Sequence, residues 1–153
     1  MAANMPVAGS EKMADLYTTR VSATGGRHGT IRSEDGILAL TLAMPKSLGG
    51  PGGATNPEQL FAAGYAACFE NAILRVARES GVRFADPDVE VIAEIGIHRK
   101  DDGSFGLSAE LEVTLTGVGQ AEAEELAHRA DAICPYSNAV RGNVAVAITI
   151  RVK

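Results

Sequence analysis

The chain is 153 residues long, enough for one domain with a hydrophobic core. Hydrophobic residues make up 46% of it and charged residues 22%, a globular composition that excludes extensive disorder. A net charge of −5 without a basic cluster argues against a nucleic acid or a membrane as the main partner. Two cysteines, no secretory leader and only short apolar runs predict a cytoplasmic protein without a static disulfide.

The N-terminal part of the chain predicts a tail and a small antiparallel sheet. Residues 1–14 are polar, small and aperiodic, which is typical of a flexible tail before a single domain at 15–153. Segments rich in β-branched and aromatic residues then alternate with segments of turn residues. The predicted elements are a strand at 15–24, a glycine turn at 25–29, a strand at 30–32, a strand at 37–44 and a glycine-rich loop at 48–54.

A long helix is expected next, from Pro57 to about Ser80. Thr55 or Asn56 can cap it, and proline fits its first position. Its first half, LFAAGYAACF, carries no charge, which is typical of a helix buried on all sides. A single sheet covers only one side of a helix, so the sequence predicts an intimate homodimer in which a second chain covers the rest.

The C-terminal half predicts two alternating strands, a second helix and a last strand. These elements are expected at 89–97 and 105–116, joined by a hairpin at 98–104, then at 120–133 and 143–152. Pro135 and Tyr136 are expected to end the second helix. The predicted class is α+β, with antiparallel strands around one buried helix.

The two cysteines are the strongest candidates for chemistry. Cys68 lies four residues after Gly64 and seven after Phe61, on one stripe of the predicted buried helix. Gly64 leaves room beside the sulfur for a substrate or another backbone. Cys134 faces inward at the end of the second helix. Either thiol could be an inert core residue, and the sequence does not say whether the two meet.

A buried thiol needs a nearby cation to be reactive, because burial raises its pKa. The helix dipole cannot supply the charge, since Cys68 lies about three turns from the N-terminus. Arg20, Arg27 and Arg141 lie in or beside loops and remain open as candidates. The glycines on both sides of Arg27 would let the backbone approach a site closely. A solvated turn arginine is the simpler interpretation of the same pattern.

The sequence lacks the motifs of metal-binding sites, nucleotide-binding sites and serine hydrolases. His28, His98 and His128 have no ligand spacing, so no metal site is expected. The loop GGPGG matches no nucleotide-binding pattern, and no GxSxG elbow is present. Any chemistry is therefore expected to be thiol chemistry.

Three segments resemble one known family. TGGRHG at 24–29, TNPEQLFAAGYAACF at 55–69 and CPYSNAVRGN at 134–143 are similar to motifs of the Ohr (organic hydroperoxide resistance) proteins, a branch of the OsmC-like proteins. The resemblance runs from about Leu16 to the C-terminus. It implies an OsmC-like fold, with antiparallel sheets wrapped around a long central helix in an intertwined homodimer that has its active sites at the subunit interface.

The same resemblance implies a thiol peroxidase that reduces organic hydroperoxides and protects against oxidative stress. Matched residue by residue, Cys68 is the peroxidatic cysteine and Cys134 the resolving cysteine. Arg27 and Glu58 match the family's active-site arginine and glutamate. The implied reductant is a dihydrolipoyl group on a lipoylated protein, and no bound cofactor is expected. The expected apolar substrate-binding residues are Phe61, Tyr65, Phe69 and Leu48.

The chain departs from the family pattern at Asp131, where histidine is frequent, at Val140, where threonine is frequent, and in the charged hairpin at 98–104. Two alternative functions stay open. One is a non-enzymatic dimer that binds a lipophilic ligand in the same pocket. The other is a peroxidase of the osmotically inducible (OsmC) branch with a different substrate preference.

Helix geometry sets a condition on Glu58. It precedes Cys68 by ten residues, which is about 15 Å along a helix axis and leaves the two on different faces. A glutamate side chain cannot cover that distance. If Glu58 serves the Cys68 site, either the helix breaks near Gly64 or a partner chain supplies the glutamate. Since the segment has no other helix breaker, the sequence favours the partner.

Overall fold

A computed structural model describes residues 14–153, so the predicted tail lies, apart from Ala14, outside the described residues. Its elements confirm the predicted α+β class. In chain order they are β1 (Val21–Thr24), β2 (Thr30–Ser33), β3 (Ala39–Thr41), α1 (Pro57–Glu79), β4 (Val89–Arg99), β5 (Phe105–Leu115), α2 (Gln120–Ile133), α3 (Pro135–Val140) and β6 (Val146–Val152). Short 3-10 turns lie at Gly26–His28, Lys46–Leu48 and Asp86–Asp88.

The first sheet is antiparallel, as predicted, in the order β1-β2-β3. Its outer strands are shorter than the sequence predicts, since residues 15–20, 37–38 and 42–44 lie outside them. The reason is the length of β2: a strand exists only where it has a partner, and β2 has four residues. Among the described residues before β1, the pairing continues as one backbone hydrogen bond, from the Glu34 N–H to the Arg20 carbonyl.

The long helix α1 begins and ends close to where the sequence predicts. The Oδ1 of Asn56 accepts a hydrogen bond from the Gln59 N–H at 2.9 Å, and Pro57 occupies the first helical position. The helix then runs for 23 residues, through Gly64, to Glu79. Gly64 does not break it, so the geometry that separates Glu58 from Cys68 holds in the folded chain.

The second sheet is mixed, with the order β4-β5-β6. β4 and β5 form the predicted antiparallel hairpin, from the Val89–Leu115 pair to the Arg99–Phe105 pair. The prediction of antiparallel strands alone is wrong for β6, which pairs parallel to β5. The connection explains the direction: α2 and α3 carry the chain back along the sheet, as a parallel pair requires.

The prediction that Pro135 simply ends the second helix is incomplete. α2 ends at Ile133, and α3 begins at Pro135. Because proline has a fixed φ and no N–H, it terminates one helix and suits the first position of the next. Cys134 therefore lies at the corner between the two helices, and it is fully buried there.

The core lies between the second sheet and the helices. Tyr65, Phe69 and Ile73 of α1 pack in one cluster with apolar side chains of β5 and α2, and all three are fully buried. The opposite face of α1 is exposed at Ala63 and Ala67. One chain therefore buries only one side of the helix, and the expected burial on all sides is not reached within it.

By length and composition alone, α1 could cross a membrane. The core helix of a globular protein passes the same criterion. Since α1 carries Glu58, Glu70 and Arg75 and packs on β4 and α2, we describe it as a core helix.

Candidate active site

The structure brings the two cysteines together. Cys68 lies on α1 and is partly buried, and Cys134 lies at the α2–α3 corner. Both are free thiols; Cys68 packs against the buried cluster that contains Cys134, and the Cys134 side chain lies near enough to raise the pKa of Cys68. The pair joins two elements that are distant in sequence, so spacing alone could not have predicted the contact.

The surroundings of Cys68 within its own chain oppose its ionisation. Burial raises the pKa of the Cys68 thiol, and the neighbouring Cys134 raises it further. The backbone N–H of Tyr136 donates to the sulfur and lowers the pKa, but its effect is the smallest. The net direction is upward, which favours the protonated and less nucleophilic thiol.

A bidentate ion pair joins the first glycine turn to the start of α1. The Nη1 and Nη2 atoms of Arg27 donate to the two carboxylate oxygens of Glu58 at 2.7 and 2.5 Å. These hydrogen bonds lower the pKa of Glu58 and raise that of Arg27, so both groups stay charged. The planar guanidinium of Arg27 thus makes two parallel hydrogen bonds to the Glu58 carboxylate, a geometry that a lysine could not reproduce.

Glycine is required in the turn that presents Arg27. Gly25 has a φ of 82°, in the left-handed region that side chains avoid. A Cβ on Gly29 would lie 1.7 Å from the Thr24 carbonyl oxygen. The GGRHG pattern is therefore explained by the close return of the backbone beside Arg27.

The Arg27–Glu58 pair lies away from Cys68 of the same chain. Glu58 lies in the first turn of the unbroken helix α1, about 15 Å along its axis from Cys68. Arg27 is bound to that glutamate, and it is not among the described groups that shift the pKa of Cys68.

The other two candidate arginines are engaged elsewhere. Arg20 lies 3.6 Å from Glu34 in an exposed pair. Arg141 lies at the end of α3, and its Nη1 is 3.1 Å from a carboxylate oxygen of Asp131. Neither is among the described groups that shift the pKa of Cys68.

Aromatic side chains pack in the same cluster as the two cysteines. Tyr65 and Phe69 are fully buried and belong to the core, whereas Phe61 is partly buried. Tyr136, which the sequence did not single out, stacks on Tyr65 with ring centroids 5.8 Å apart. The Tyr65 hydroxyl and Ser137 Oγ are 2.9 Å apart in a buried hydrogen bond. Tyr136 directly follows Cys134 and Pro135 in the sequence, and this position next to a candidate cysteine is the signal that could have identified it.

Gly64 makes room for Tyr136 rather than for a substrate or another backbone. A Cβ on Gly64 would lie 2.3 Å from the Tyr136 hydroxyl oxygen and 2.8 Å from its ring carbon Cζ. The glycine therefore allows the ring of α3 to lie directly on α1, one turn before Cys68.

Two open grooves border the N-terminal turns of α1. One, of about 470 Å³, is lined by Phe61 together with Val140, Phe105 and Lys100. The other, of about 520 Å³, is lined by Leu48 together with Glu58, Ala62 and Ile95. The expected substrate-binding residues thus fall into three places: Phe61 in one groove, Leu48 in the other, and Tyr65 and Phe69 in the core. Within residues 14–153, no three His, Cys, Asp or Glu side chains converge on a common point.

Comparison with known proteins identifies the family. The family model of the OsmC-like proteins matches residues 50–149. An organic hydroperoxide resistance protein of Xanthomonas axonopodis is 45% identical over 136 residues, covering 88% of this chain and 94% of its own. Organic hydroperoxide resistance protein OhrB of Bacillus subtilis is 40% identical over 137 residues, covering 89% and 98%.

A solved structure supports the same family assignment. The crystal structure of an organic hydroperoxide resistance protein from Legionella pneumophila superposes with a TM-score of 0.86 at 49% identity, covering 90% of this chain and 99% of that one. The similarity therefore extends over both sheets, the long helix and the segments that carry both cysteines. The chain belongs to the organic hydroperoxide resistance (Ohr) family of OsmC-like proteins.

Proposed function

We propose that this protein is a cysteine-based peroxidase that reduces organic hydroperoxides to alcohols. The observation that carries the proposal is the contact between two free thiols, Cys68 and Cys134, at the meeting of α1 with the α2–α3 corner. The relatives' names support a role in resistance to organic hydroperoxides.

The chemistry begins at Cys68. Its thiolate attacks one oxygen of the hydroperoxide, the O–O bond breaks, and the leaving alkoxide takes a proton to become an alcohol. Cys68 is left as a sulfenic acid. The Cys134 sulfur then attacks the Cys68 sulfur, the S–O bond breaks, and the oxygen leaves as water. The result is an intramolecular disulfide, which an external dithiol reduces by exchange. We propose a dihydrolipoyl group on a lipoylated protein as that dithiol.

The cation that Cys68 needs comes, in this proposal, from a second copy of the chain. The partner's Arg27 and Glu58, held as a rigid pair, would lie beside the thiolate, with arginine lowering the pKa of Cys68 and orienting the peroxide. Two features support this arrangement. The exposed face of α1 and the exposed β1–β3 sheet leave apolar surface uncovered, and Glu58 is too far from Cys68 in its own chain.

The substrate class follows from the apolar character of the surroundings. Phe61 and Leu48 each line a groove beside α1. An alkyl or lipid chain buried there would gain roughly 25 cal/mol per Å² of apolar surface, which hydrogen peroxide cannot gain. We therefore propose that alkyl or lipid hydroperoxides react faster than hydrogen peroxide. Because the cycle needs reduced thiols, we also propose a cytoplasmic location.

The test is a count of free thiols. The reduced protein is mixed with cumene hydroperoxide, and free thiols are titrated over time. A peroxidase loses two thiols per chain rapidly, whereas a non-enzymatic protein that binds a lipophilic ligand keeps both. Cys68→Ser should abolish the reaction, and Cys134→Ser should stop after one oxidation with a sulfenic acid at Cys68. Equal residual turnover in the two variants would refute the assigned roles. Faster reaction with hydrogen peroxide would favour the OsmC-branch alternative.

A further inference from the structure

A group of three polar side chains bridges the corner that carries Cys134. The Nη1 of Arg141 donates to the Asp131 carboxylate at 3.1 Å, and its Nη2 donates to the Asp131 backbone carbonyl at 2.9 Å. The same Nη2 lies 3.4 Å from Asn138 Oδ1. We call these three residues the corner clamp.

The clamp ties the two helices together across Cys134. The last carbonyls of a helix have no partner inside it, and Pro135 brings no N–H to the corner. Arg141, which follows α3, supplies a donor to the Asp131 carbonyl in the last turn of α2. Asn138 of α3 adds a second bond of this kind, from Nδ2 to the Ala132 carbonyl at 3.3 Å. Both contacts run from α3 back to α2.

The inner side of the same corner is fixed against α1. Ser137 bonds the hydroxyl of Tyr65, and the ring of Tyr136 lies against Gly64. The corner is thus held on the core side by α1 and on the outer side by the clamp. Between these two attachments lies Cys134, in contact with Cys68.

We propose that Arg141 is a positioning residue that, through Asp131, keeps the Cys134 sulfur at Cys68 and so sets the rate of disulfide closure. The proposal rests on the proposed function. Closure joins the two sulfur atoms, breaks the S–O bond of the Cys68 sulfenic acid, and releases water with the thiol proton of Cys134. The displacement needs the Cys134 sulfur in line with that S–O bond, and a loosened corner spends less time in this geometry.

The clamp is suited to a kinetic rather than a stabilising role. The side chains of Arg141 and Asp131 are 52% and 25% exposed, and an exposed ion pair adds little to global stability. Its loss should therefore leave the fold intact while the corner moves more freely. Since Arg141 acts through Asp131, the first oxidation at Cys68 should not depend on it.

The test separates the two oxidation steps. Wild type, Arg141→Ala, Arg141→Lys and Asp131→Asn are mixed with cumene hydroperoxide, and sulfenic acid (trapped with dimedone) and free thiols are followed. Arg141→Ala should form sulfenic acid at the wild-type rate and close the disulfide roughly tenfold more slowly. Arg141→Lys and Asp131→Asn, which each keep part of the clamp, should be intermediate. Arg75→Ala, which removes an exposed ion pair with Glu79 within α1 and leaves the clamp residues unchanged, is the matched control and should behave as wild type.

A second measurement needs no peroxide. Dibromobimane bridges two thiols that lie close together, so its cross-linking rate reports the position of Cys134 directly. Slower bridging in Arg141→Ala, with folding verified by circular dichroism, supports the clamp even if wild type fails to react with peroxide. Closure and bridging at wild-type rates in Arg141→Ala would overturn the proposal. If Arg141→Ala does not fold, unchanged rates in Arg141→Lys and Asp131→Asn would overturn it equally.

Discussion

Within one chain the pKa of Cys68 is raised, yet the proposed reaction needs Cys68 as a thiolate. In our proposal, Arg27 of a second chain lowers this pKa. Arg27→Ala should therefore raise the pKa of Cys68 in the assembled protein. Alkylation by iodoacetamide near neutral pH should slow about tenfold for each unit by which the pKa comes to exceed the pH. Arg27→Lys should restore only part of the rate, because an ammonium lacks the planar fork.

Arg20→Ala is the control for this measurement, since Arg20 forms an exposed pair with Glu34. Its alkylation rate should equal that of wild type. An unchanged rate in Arg27→Ala would show that Arg27 does not activate the thiol.

The Arg27–Glu58 pair also predicts a pH-dependent stability. Arg27 lowers the pKa of Glu58 in the folded state, so the ionised carboxylate stabilises the fold above its unfolded pKa of about 4.3. This contribution is lost as the pH falls through the lower folded pKa. Glu58→Gln should reduce the free energy of unfolding by roughly 1–2 kcal/mol near pH 7. The difference from wild type should shrink below about pH 4.

Urea denaturation at several pH values measures this difference. Glu34→Gln, whose exposed carboxylate lies 3.6 Å from Arg20, is the control and should change stability by less than about 0.5 kcal/mol. If Glu58→Gln lowers the free energy of unfolding by the same amount at every pH, then Glu58 stabilises the fold by packing rather than by its charge.

At the scale of elements, the predictable features were those encoded locally. Asn56 and Pro57 mark the start of α1 because a cap and a first-turn proline act on their immediate neighbours. The direction of β6 and the existence of α3 depend on how the chain after Ile133 packs against the sheet, which no local pattern encodes. The contact between the Tyr136 ring and Gly64 joins α3 to α1, and no local sequence pattern predicts it either.

The contact between Gly64 and Tyr136 makes a prediction about the packing of α1 against α3. Gly64→Ala gains about 1 kcal/mol of helix propensity, but its Cβ would displace the Tyr136 ring at a cost of about 1–3 kcal/mol. The variant should therefore be less stable than wild type by up to about 2 kcal/mol. In a Tyr136→Ala background the clash is absent, so Gly64→Ala should become stabilising.

A double-mutant cycle by urea denaturation tests this reversal of sign. If Gly64→Ala destabilises both backgrounds equally, the cost does not arise from Tyr136.

For the whole molecule, the described chain leaves apolar surface that a second copy could cover. The exposed positions Ala63 and Ala67 lie on α1, and the β1–β3 sheet exposes Val21 and Leu40. The charge-free first half of α1 pointed to a dimer because an apolar helix needs cover on every side. Which residues would meet across such an interface cannot be predicted from the sequence, since no pattern within one chain records the position of another.

A shared active site makes a specific prediction about mixed dimers. Cys68→Ser and Glu58→Ala are each expected to be inactive as homodimers. In a mixed dimer, the intact Cys68 of one chain would meet the intact Glu58 of the other, and the second site would carry both defects. Random mixing makes half of the dimers mixed, so about a quarter of the wild-type number of sites should recover activity. Peroxide-dependent thiol oxidation after unfolding and refolding the mixture measures this recovery.

The matched control mixes Cys68→Ser with Cys134→Ser. Cys68 and Cys134 contact each other within one chain, so no dimer of these two variants contains a site with both cysteines, and turnover should stay absent. Recovery in the first mixture but not in the second requires that the glutamate crosses the interface while the cysteine pair does not. If the first mixture remains as inactive as its parents although mixed dimers are present, Glu58 acts within its own chain. In that case α1 would have to bend near Gly64 during the reaction, because the straight helix keeps the two groups about 15 Å apart.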